Sequence, residues 1–154
     1  PCFDENMRLW SIKIRQFEKM PKYVKLAGSK SGVFGYRNLR GAKIIGVTEG
    51  EIDCLTLEQE AGDMLGACTL GSAMDNFKNL DFARWGGYFI QSQAILLFFD
   101  NDEAGNKGAR RMQVNRTIHA VGAMPGYKDL NEMLLNGEDL GAWVCQKIAS
   151  LPLL

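Results

Sequence analysis

The sequence predicts an α/β fold in which helices flank a four-stranded parallel sheet and a small β-rich module precedes them. Apolar runs of strand length alternate with helical patterns over residues 42–150, which is typical of successive βαβ units. Residues 1–40 contain only short alternating segments between turn-forming residues. We therefore predict a basic β-rich N-terminal module over residues 1–40 and a second domain over residues 41–154.

The charged residues divide at the same boundary. Residues 1–40 carry nine Lys and Arg against three acids, whereas residues 41–154 carry nine bases against fifteen acids, so the whole chain has no net charge. A basic arm beside an acidic body indicates a polyanionic partner and a cation site, although surface charge can also segregate without a function. No apolar run approaches the roughly 18 residues of a membrane helix, so no membrane partner is expected.

The four cysteines indicate neither a zinc site nor a disulfide framework. None forms a C-x-x-C pair, and the only histidine is His119, so the usual zinc-ligand spacing cannot be built within the chain. Cys54, Cys68 and Cys145 stand among apolar residues, which predicts buried free thiols and a reducing, cytoplasmic location.

The elements of the N-terminal module are predicted from alternation and turns. Residues 9–15 alternate apolar with polar or basic side chains, as in a half-buried strand. Residues 23–26 and 33–36 predict two more short strands on either side of the turn-rich run 28–32. The aromatic residues Trp10 and Phe17, like the later Trp85 and Trp143, are interpreted as core rather than as base-stacking groups.

The second domain is predicted as alternating strands and helices. Its strands are predicted over residues 42–47, 65–70, 94–99 and 118–123. Its helices are predicted over residues 51–61, 74–85, 103–116, 130–136 and 138–150. Gly86-Gly87 is expected to end the second helix and open a long loop before the third strand. That strand is apolar without alternation, so we expect it to be central and covered on both faces.

The first strand is followed by two carboxylates with helix spacing between them. Glu49 stands at the strand tip and Asp53 lies four residues on, in the expected first turn of the next helix. Gly50 would let the backbone approach a ligand closely. Acids also favour helix N-termini through the helix dipole, and this structural interpretation is stronger for Glu51 than for Glu49.

The third strand is followed by Asp100-Asn101-Asp102. The two aspartates lie two residues apart, on one side of an extended chain. They repel each other unless a cation separates them, and Mg²⁺ accepts such a sparse oxygen site. Asp102 could instead cap the following helix, but capping does not explain Asp100.

The loop after the fourth strand contains a third acidic group, Lys128-Asp129-Leu130-Asn131-Glu132. Taken alone, Asp129 with Glu132 three residues on is a helix-capping pattern. Its position in line with the other two acidic groups favours a shared site, because the carboxyl ends of parallel strands meet at one edge of the sheet.

In this order and spacing, the three groups resemble the Toprim signature of topoisomerases and primases. The resemblance covers roughly residues 42–137 and is greatest to primase domains of phage primase–helicases and mobile-element primases. It implies a Toprim, Rossmann-like fold for residues 41–154. The module over residues 1–40 resembles the segment that precedes Toprim in those primases.

The resemblance implies a role for each matching residue. Glu49 matches a general acid/base or metal-orienting group, and Asp100 and Asp102 match the metal-binding pair, so these three are the predicted catalytic residues. Further metal-site acids and supporting residues are implied at the following positions: Asp53, Asp129, Gly50, Gly105, Asn131 and Glu132. Nucleotide or nucleic-acid binding is implied for the following bases: Lys22, Lys25, Lys30, Arg37 and Lys128.

The function that the resemblance implies is a DNA primase catalytic domain, a nucleotidyltransferase that joins ribonucleotides on single-stranded DNA with Mg²⁺, or Mn²⁺ in its place. A helicase and an upstream zinc-binding module are implied as further partners, and the absence of an initiator methionine suggests part of a longer protein. Two alternatives remain open: a Toprim nuclease or topoisomerase-like strand-breaking enzyme, and a non-catalytic nucleic-acid-binding module.

Overall fold

The structure, a computed structural model, describes residues 1–18, 20–71, 81–113 and 117–152, with only the backbone of Phe82. The N-terminal elements are β1 (Cys2–Phe3), β2 (Leu9–Ser11), β3 (Lys13–Arg15), β4 (Tyr23–Lys25) and a 3₁₀ helix (Tyr36–Leu39). The remaining strands are β5 (Ile44–Thr48), β6 (Gly66–Thr69), β7 (Ala94–Phe98) and β8 (Ile118–Ala120). The α-helices are α1 (Glu51–Ala61), α2 (Phe82–Ile90), α3 (Glu103–Met112), α4 (Leu130–Leu135) and α5 (Leu140–Ala149).

The predicted parallel four-stranded sheet is confirmed, with strand order β6-β5-β7-β8. All five residues of β7 are buried, which confirms the central position expected for an apolar strand without alternation. In the register between β5 and β7, Thr48 stands opposite Phe98. The residues that follow these two strands therefore leave the sheet side by side.

Two hydrophobic cores lie on the two faces of this sheet. On one face, α1, α4 and α5 pack on the inner strands through the following buried residues: Leu57, Leu96, Leu130, Met133, Leu140 and Val144. On the other face, α2, α3 and the 3₁₀ helix pack through the following: Tyr36, Leu39, Val47, Trp85, Leu97 and Met112. Full burial of each large apolar side chain stabilises the fold by about 1.5–3 kcal/mol.

The N-terminal strands form two separate antiparallel pairs, β1 with β2 and β3 with β4. The prediction of one continuous strand over residues 9–15 was wrong, because β2 and β3 pair with different partners. The segment that follows joins the sheet core through Val33, which is fully buried. The Tyr36 hydroxyl also donates a hydrogen bond to the carbonyl oxygen of Asp4 at 2.8 Å.

The strand predicted over residues 33–36 was also wrong. Phe34 forms only an isolated bridge with Thr69, and Gly35 turns the chain with a φ of +80°. A Cβ atom at Gly35 would lie 2.5 Å from the Ala67 carbonyl oxygen. The close approach of the chain to β6 therefore requires glycine, and the chain enters the 3₁₀ helix instead of extending.

The predicted end of the second helix at Gly86-Gly87 was wrong. The helix α2 continues through both glycines to Ile90, so the loop expected over residues 85–93 is mostly helical. Trp85 and Phe89, one turn apart, are both buried in the core. Their packing outweighs a glycine penalty of about 1 kcal/mol per residue. Most of the residues predicted to start this helix, 74–80, lie outside the described residues.

Several smaller predictions differ from the structure. The helix α3 ends at Met112, and residues 114–116 of its predicted span lie outside the described residues. Cys54 and Cys68 are buried as predicted, but Cys145 is exposed. Phe17, interpreted as core, is 78% exposed. Within the described residues, every helix is too short or too polar to cross a membrane.

Candidate active site

Four of the predicted metal-site carboxylates border one cavity of about 480 Å³ at the carboxyl edge of the sheet. They are Glu49 after β5, Asp53 in the first turn of α1, Asp100 after β7 and Asp129 at the start of α4. We call this space the carboxylate cavity. Three separated stretches of the sequence therefore meet there, as parallel strand ends predict.

Glu49 joins the ends of the two inner strands. Its Oε1 accepts a hydrogen bond from the backbone N–H of Asp100 at 3.1 Å. Loss of hydration raises the pKa of Glu49 to about 7, and the negative charges of Asp100, Asp102 and Asp53 contribute to the increase. Gly105 leaves room for this carboxylate, because a Cβ atom there would lie 2.5 Å from Glu49 Oε1.

Asp53 joins α1 to α4. Its Oδ1 accepts a hydrogen bond from the backbone N–H of Asn131 at 3.2 Å. Burial raises the pKa of Asp53 to about 6, with further increases from the charges of Asp129 and Asp100. Asn131 therefore supports the site through its backbone and also lines the carboxylate cavity.

Asp100 forms an ion pair within the site. The Lys128 ammonium nitrogen lies 3.1 Å from Asp100 Oδ2, and its side chain is 59% exposed. Burial raises the pKa of Asp100 although this partner opposes the increase, while the same contact raises the pKa of Lys128. The ammonium group thus neutralises part of the acidic cluster, as a bound cation would.

Two of the predicted acids cap helices. Asp102 accepts a hydrogen bond from the backbone N–H of Gly105 at 2.9 Å and begins α3, and it does not line the carboxylate cavity. Asp129 accepts from the backbone N–H of Glu132 at 2.8 Å, and Glu132 accepts from the N–H of Lys128 at 2.5 Å. The capping interpretation therefore holds for both aspartates, and Asp129 also faces the cavity.

Asn101, which the sequence analysis did not single out, holds two loops of the site together. Its side-chain amide lies within donating distance of three carbonyl oxygens, those of Ala123, Met124 and Tyr127, at 2.8–3.2 Å. Its backbone N–H donates to the Lys128 carbonyl oxygen at 2.7 Å. In the sequence, only its position between Asp100 and Asp102 indicated a role for Asn101. The pattern was interpreted through the two aspartates instead.

A basic hairpin, formed by β3, β4 and the described residues between them (16–18 and 20–22), borders the site. The register pairs Lys13 with Lys25 and Arg15 with Tyr23, so these four side chains share one face of the hairpin. All four line a second cavity of about 310 Å³, and Lys13, Arg15 and Tyr23 also line the carboxylate cavity.

Lys13 fastens this hairpin to the sheet domain. Its ammonium group lies 2.9 Å from Glu51 Oε2 and donates to the Gly71 carbonyl oxygen at 2.8 Å. The alternating pattern of residues 9–15 placed Lys13 and Arg15 on one side of a strand, but only the cross-strand register shows that this side faces the cavities.

The Lys and Arg residues that the resemblance implied for nucleic-acid binding lie in three places. Lys22 and Lys128 line the carboxylate cavity. Lys25 and Lys30 line the adjoining 310 Å³ cavity. Arg37 lines neither of these cavities and contacts Met7. A role for Arg37 in binding stays a prediction.

The residues of the site fit a hard divalent cation by chemistry. Within the described residues, no three His, Cys, Asp or Glu side chains are arranged to hold one metal ion. The cavity nevertheless presents carboxylate oxygens, which Mg²⁺ prefers. Mutual repulsion contributes to the raised pKa values of Glu49, Asp53 and Asp100, and a cation would relieve that repulsion.

Comparison with known proteins points to one family. The sequence pattern of Toprim-like domains matches residues 46–134. A DNA helicase/primase of Enterobacteria phage T3 is 35% identical over 139 residues, which are 88% of this chain and 24% of that protein. This chain thus spans about a quarter of the length of that relative.

Solved structures of related proteins agree with the observed fold. The primase fragment of the bacteriophage T7 primase-helicase protein matches with a TM-score of 0.74 and 33% identity, over 93% of this chain and 59% of that one. A bacteriophage T7 complex of lagging-strand DNA polymerase with primase domains bound to an RNA/DNA hybrid and dTTP contains a second match. That chain has a TM-score of 0.73 and 28% identity, over 98% of this chain and 76% of that one.

Proposed function

This chain belongs to the Toprim-like family, and from that premise we propose that it is the catalytic domain of a DNA primase. In this proposal it joins ribonucleotides on a single-stranded DNA template and requires Mg²⁺, or Mn²⁺ in its place. Two of the matches described above are a helicase/primase and a primase fragment, which supports this assignment within the family.

One observation carries the proposal: four carboxylates and several bases border the same cavity. Glu49, Asp53, Asp100 and Asp129 line this cavity together with Arg15 and Lys22. Phosphoryl transfer needs positioning and charge stabilisation more than covalent chemistry by the protein. Carboxylates for metal ions and bases for phosphates are the two groups that such a reaction requires together.

The roles of the acids follow from their positions. Asp100, with Asp53 and Asp129, would hold the metal ions, which neutralise and align the triphosphate when bound. Asp102 would act from beside the cavity, where its charge contributes to the raised pKa of Glu49, while it fixes the start of α3. Glu49, held by the Asp100 backbone N–H, would orient a metal ligand or accept the proton of the attacking 3′-hydroxyl.

The proposed roles of the basic side chains follow from their separation into two cavities. Arg15, Lys22 and Lys128 line the carboxylate cavity, where they would contact the triphosphate. Lys25 and Lys30 line the adjoining cavity, where they would contact the backbone of the template. Binding through such contacts weakens as salt rises. A helicase and a zinc-binding module elsewhere in the protein are proposed partners, and a cytoplasmic location stays a prediction.

Primer synthesis on single-stranded DNA with labelled ribonucleotides and Mg²⁺ tests the proposal. We expect RNA products from the wild-type chain and none from the Asp100→Asn, Asp102→Asn double variant. Asparagine keeps the size of both side chains and can still cap α3, so the variant should be at least as stable to unfolding as the wild type. Equal product from both proteins would contradict the site assignment.

The same samples distinguish the alternatives. Cleavage of supercoiled plasmid without RNA product would indicate a Toprim nuclease or topoisomerase-like enzyme. DNA binding without either product would indicate a non-catalytic module. Removal of divalent cations with EDTA should abolish synthesis, and Mg²⁺ should restore it.

A further inference from the structure

The tip of the basic hairpin exposes large apolar side chains next to the proposed active site. Phe17 is 78% exposed and Met20 is 88% exposed. A single exposed apolar residue is ordinary on a protein surface. These two lie at the end of a hairpin whose inner face lines both cavities, so their position calls for a physical explanation.

Cations surround the aromatic rings of this hairpin. The Arg15 guanidinium lies 5.8 Å from the centroid of the Phe17 ring. The ammonium groups of Lys13 and Lys22 lie 4.7 Å and 5.8 Å from the centroid of the Tyr23 ring. Proteins hold single-stranded nucleic acid through aromatic rings interleaved with Lys and Arg side chains. The cationic side chains neutralise phosphates, and the rings stack on nucleobases.

Phe17 lies close along the hairpin to residues that line the carboxylate cavity. Arg15 and Tyr23 form a cross-strand pair and both line that cavity. Phe17 lies two residues beyond Arg15, at most about 7 Å along the chain. A nucleic-acid backbone that contacts Arg15 at the cavity would therefore bring a neighbouring nucleobase within reach of the Phe17 ring.

We propose that Phe17 at the tip of the basic hairpin stacks against a base of the single-stranded template next to the carboxylate cavity. This inference rests on the proposed function and adds a stacking contact to it. Charge favours nucleic acid over a protein partner, because residues 13–25 carry five Lys and Arg against one acid, and phosphate groups neutralise such a basic cluster.

Fluorescence anisotropy of a labelled oligo-dT strand with the wild-type chain and with Phe17→Ala tests the proposal. Stacking of one base predicts an affinity loss of about tenfold in Phe17→Ala. The slope of log affinity against log salt should stay the same, because no phosphate contact is removed. Phe17→Tyr should bind within about twofold of the wild type, since its ring can still stack.

An oligonucleotide with abasic sites in place of its bases separates stacking from other effects. On that strand, Phe17→Ala and the wild type should bind equally. The matched control is Ile90→Ala, because Ile90 is 71% exposed but ends α2 just before β7, at the opposite edge of the sheet. This control should leave the binding of both strands unchanged.

Three results would overturn the inference: unchanged oligo-dT affinity in Phe17→Ala, an equal loss on the abasic strand, or no oligo-dT binding by the wild type. Unchanged affinity would favour a protein contact at the tip. Primer synthesis, measured in parallel, separates this inference from the proposed function. RNA product with Phe17-independent binding would refute the stacking contact alone, whereas Phe17-dependent binding without RNA product would refute the primase activity alone.

Discussion

The carboxylate of Glu49 accepts the backbone N–H of Asp100 at 3.1 Å, so the ends of β5 and β7 are joined directly through an acidic side chain. The hydrogen bond fixes one oxygen of Glu49 against the backbone of the next acidic stretch. Asp53, Asp100 and Asp129 lie around the same cavity, and the pKa values of Glu49, Asp53 and Asp100 are raised. This arrangement favours a cation and leads to four predictions.

Gly105→Ala should disrupt the site from within α3. The added Cβ would lie 2.2 Å from the Asp100 carbonyl oxygen and 2.5 Å from Glu49 Oε1. We expect the free energy of unfolding in urea to fall by about 1–3 kcal/mol and RNA synthesis to be lost. Gly87→Ala is the matched control, because a Cβ in that helix meets nothing within 4 Å, and it should stabilise the protein by about 0.5–1 kcal/mol. Equal effects of the two substitutions would contradict the crowding argument.

Glu49→Gln should reveal the destabilising charge of the metal-free site. The pKa of Glu49 is raised from 4.5 to about 7, so the folded protein holds this proton more tightly than the unfolded chain. The stability that this proton contributes is complete below pH 4.5 and is lost as the pH rises through 7.

In EDTA at pH 8, Glu49→Gln should therefore be more stable than the wild type by about 1 kcal/mol, after a reduction for solvent screening. The difference should disappear near pH 4, where both side chains are neutral. Thermal unfolding across this pH range measures it. Asp63→Asn, which removes an exposed carboxylate outside the site, is the control, and a stabilisation of Glu49→Gln that is independent of pH would refute the charge explanation.

Substitutions of Asp102 should separate its two roles. Asp102→Ala removes the cap of α3 and should lower the free energy of unfolding by about 1 kcal/mol. Asp102→Ser keeps a capping oxygen and should leave stability unchanged. Both variants lack the carboxylate, so both should lose RNA synthesis. Full synthesis by Asp102→Ser would show that Asp102 only caps the helix.

Lys128→Met should strengthen binding of Mg²⁺ to the chain without nucleotide. The Lys128 ammonium lies 3.1 Å from Asp100 Oδ2, where it repels a second cation and occupies a ligand oxygen. Removal of a unit charge about 4 Å from a divalent ion in water changes binding by about 2 kcal/mol, which corresponds to about a thirtyfold gain in affinity by titration calorimetry. Lys43→Met is the control at the opposite edge of the sheet, where Lys43 precedes β5 and is exposed. A weaker Mg²⁺ affinity in Lys128→Met would contradict this competition.

Much of the fold could be predicted from local pattern. The helix over residues 51–61 and the uninterrupted apolar strand before Asp100 were confirmed, because helix spacing and continuous burial leave direct signals in the sequence. The continuation of α2 through Gly86-Gly87 could not be predicted. It depends on Trp85, which is fully buried in the core, and local propensity carries no information about that packing.

The sequence by itself determined which acids follow the strands. Parallel topology requires strand ends to share an edge, so Glu49, Asp100 and Asp129 could be grouped from the order of elements along the chain. Only the tertiary structure decided that Asp102 does not line the carboxylate cavity, that Lys128 pairs with Asp100, and that Phe17 is exposed rather than core. These outcomes depend on how segments that are distant along the chain pack together, at the β3–β4 hairpin and where β5 pairs with β7. Contacts between distant segments arise from packing in three dimensions, which spacing along the chain does not record.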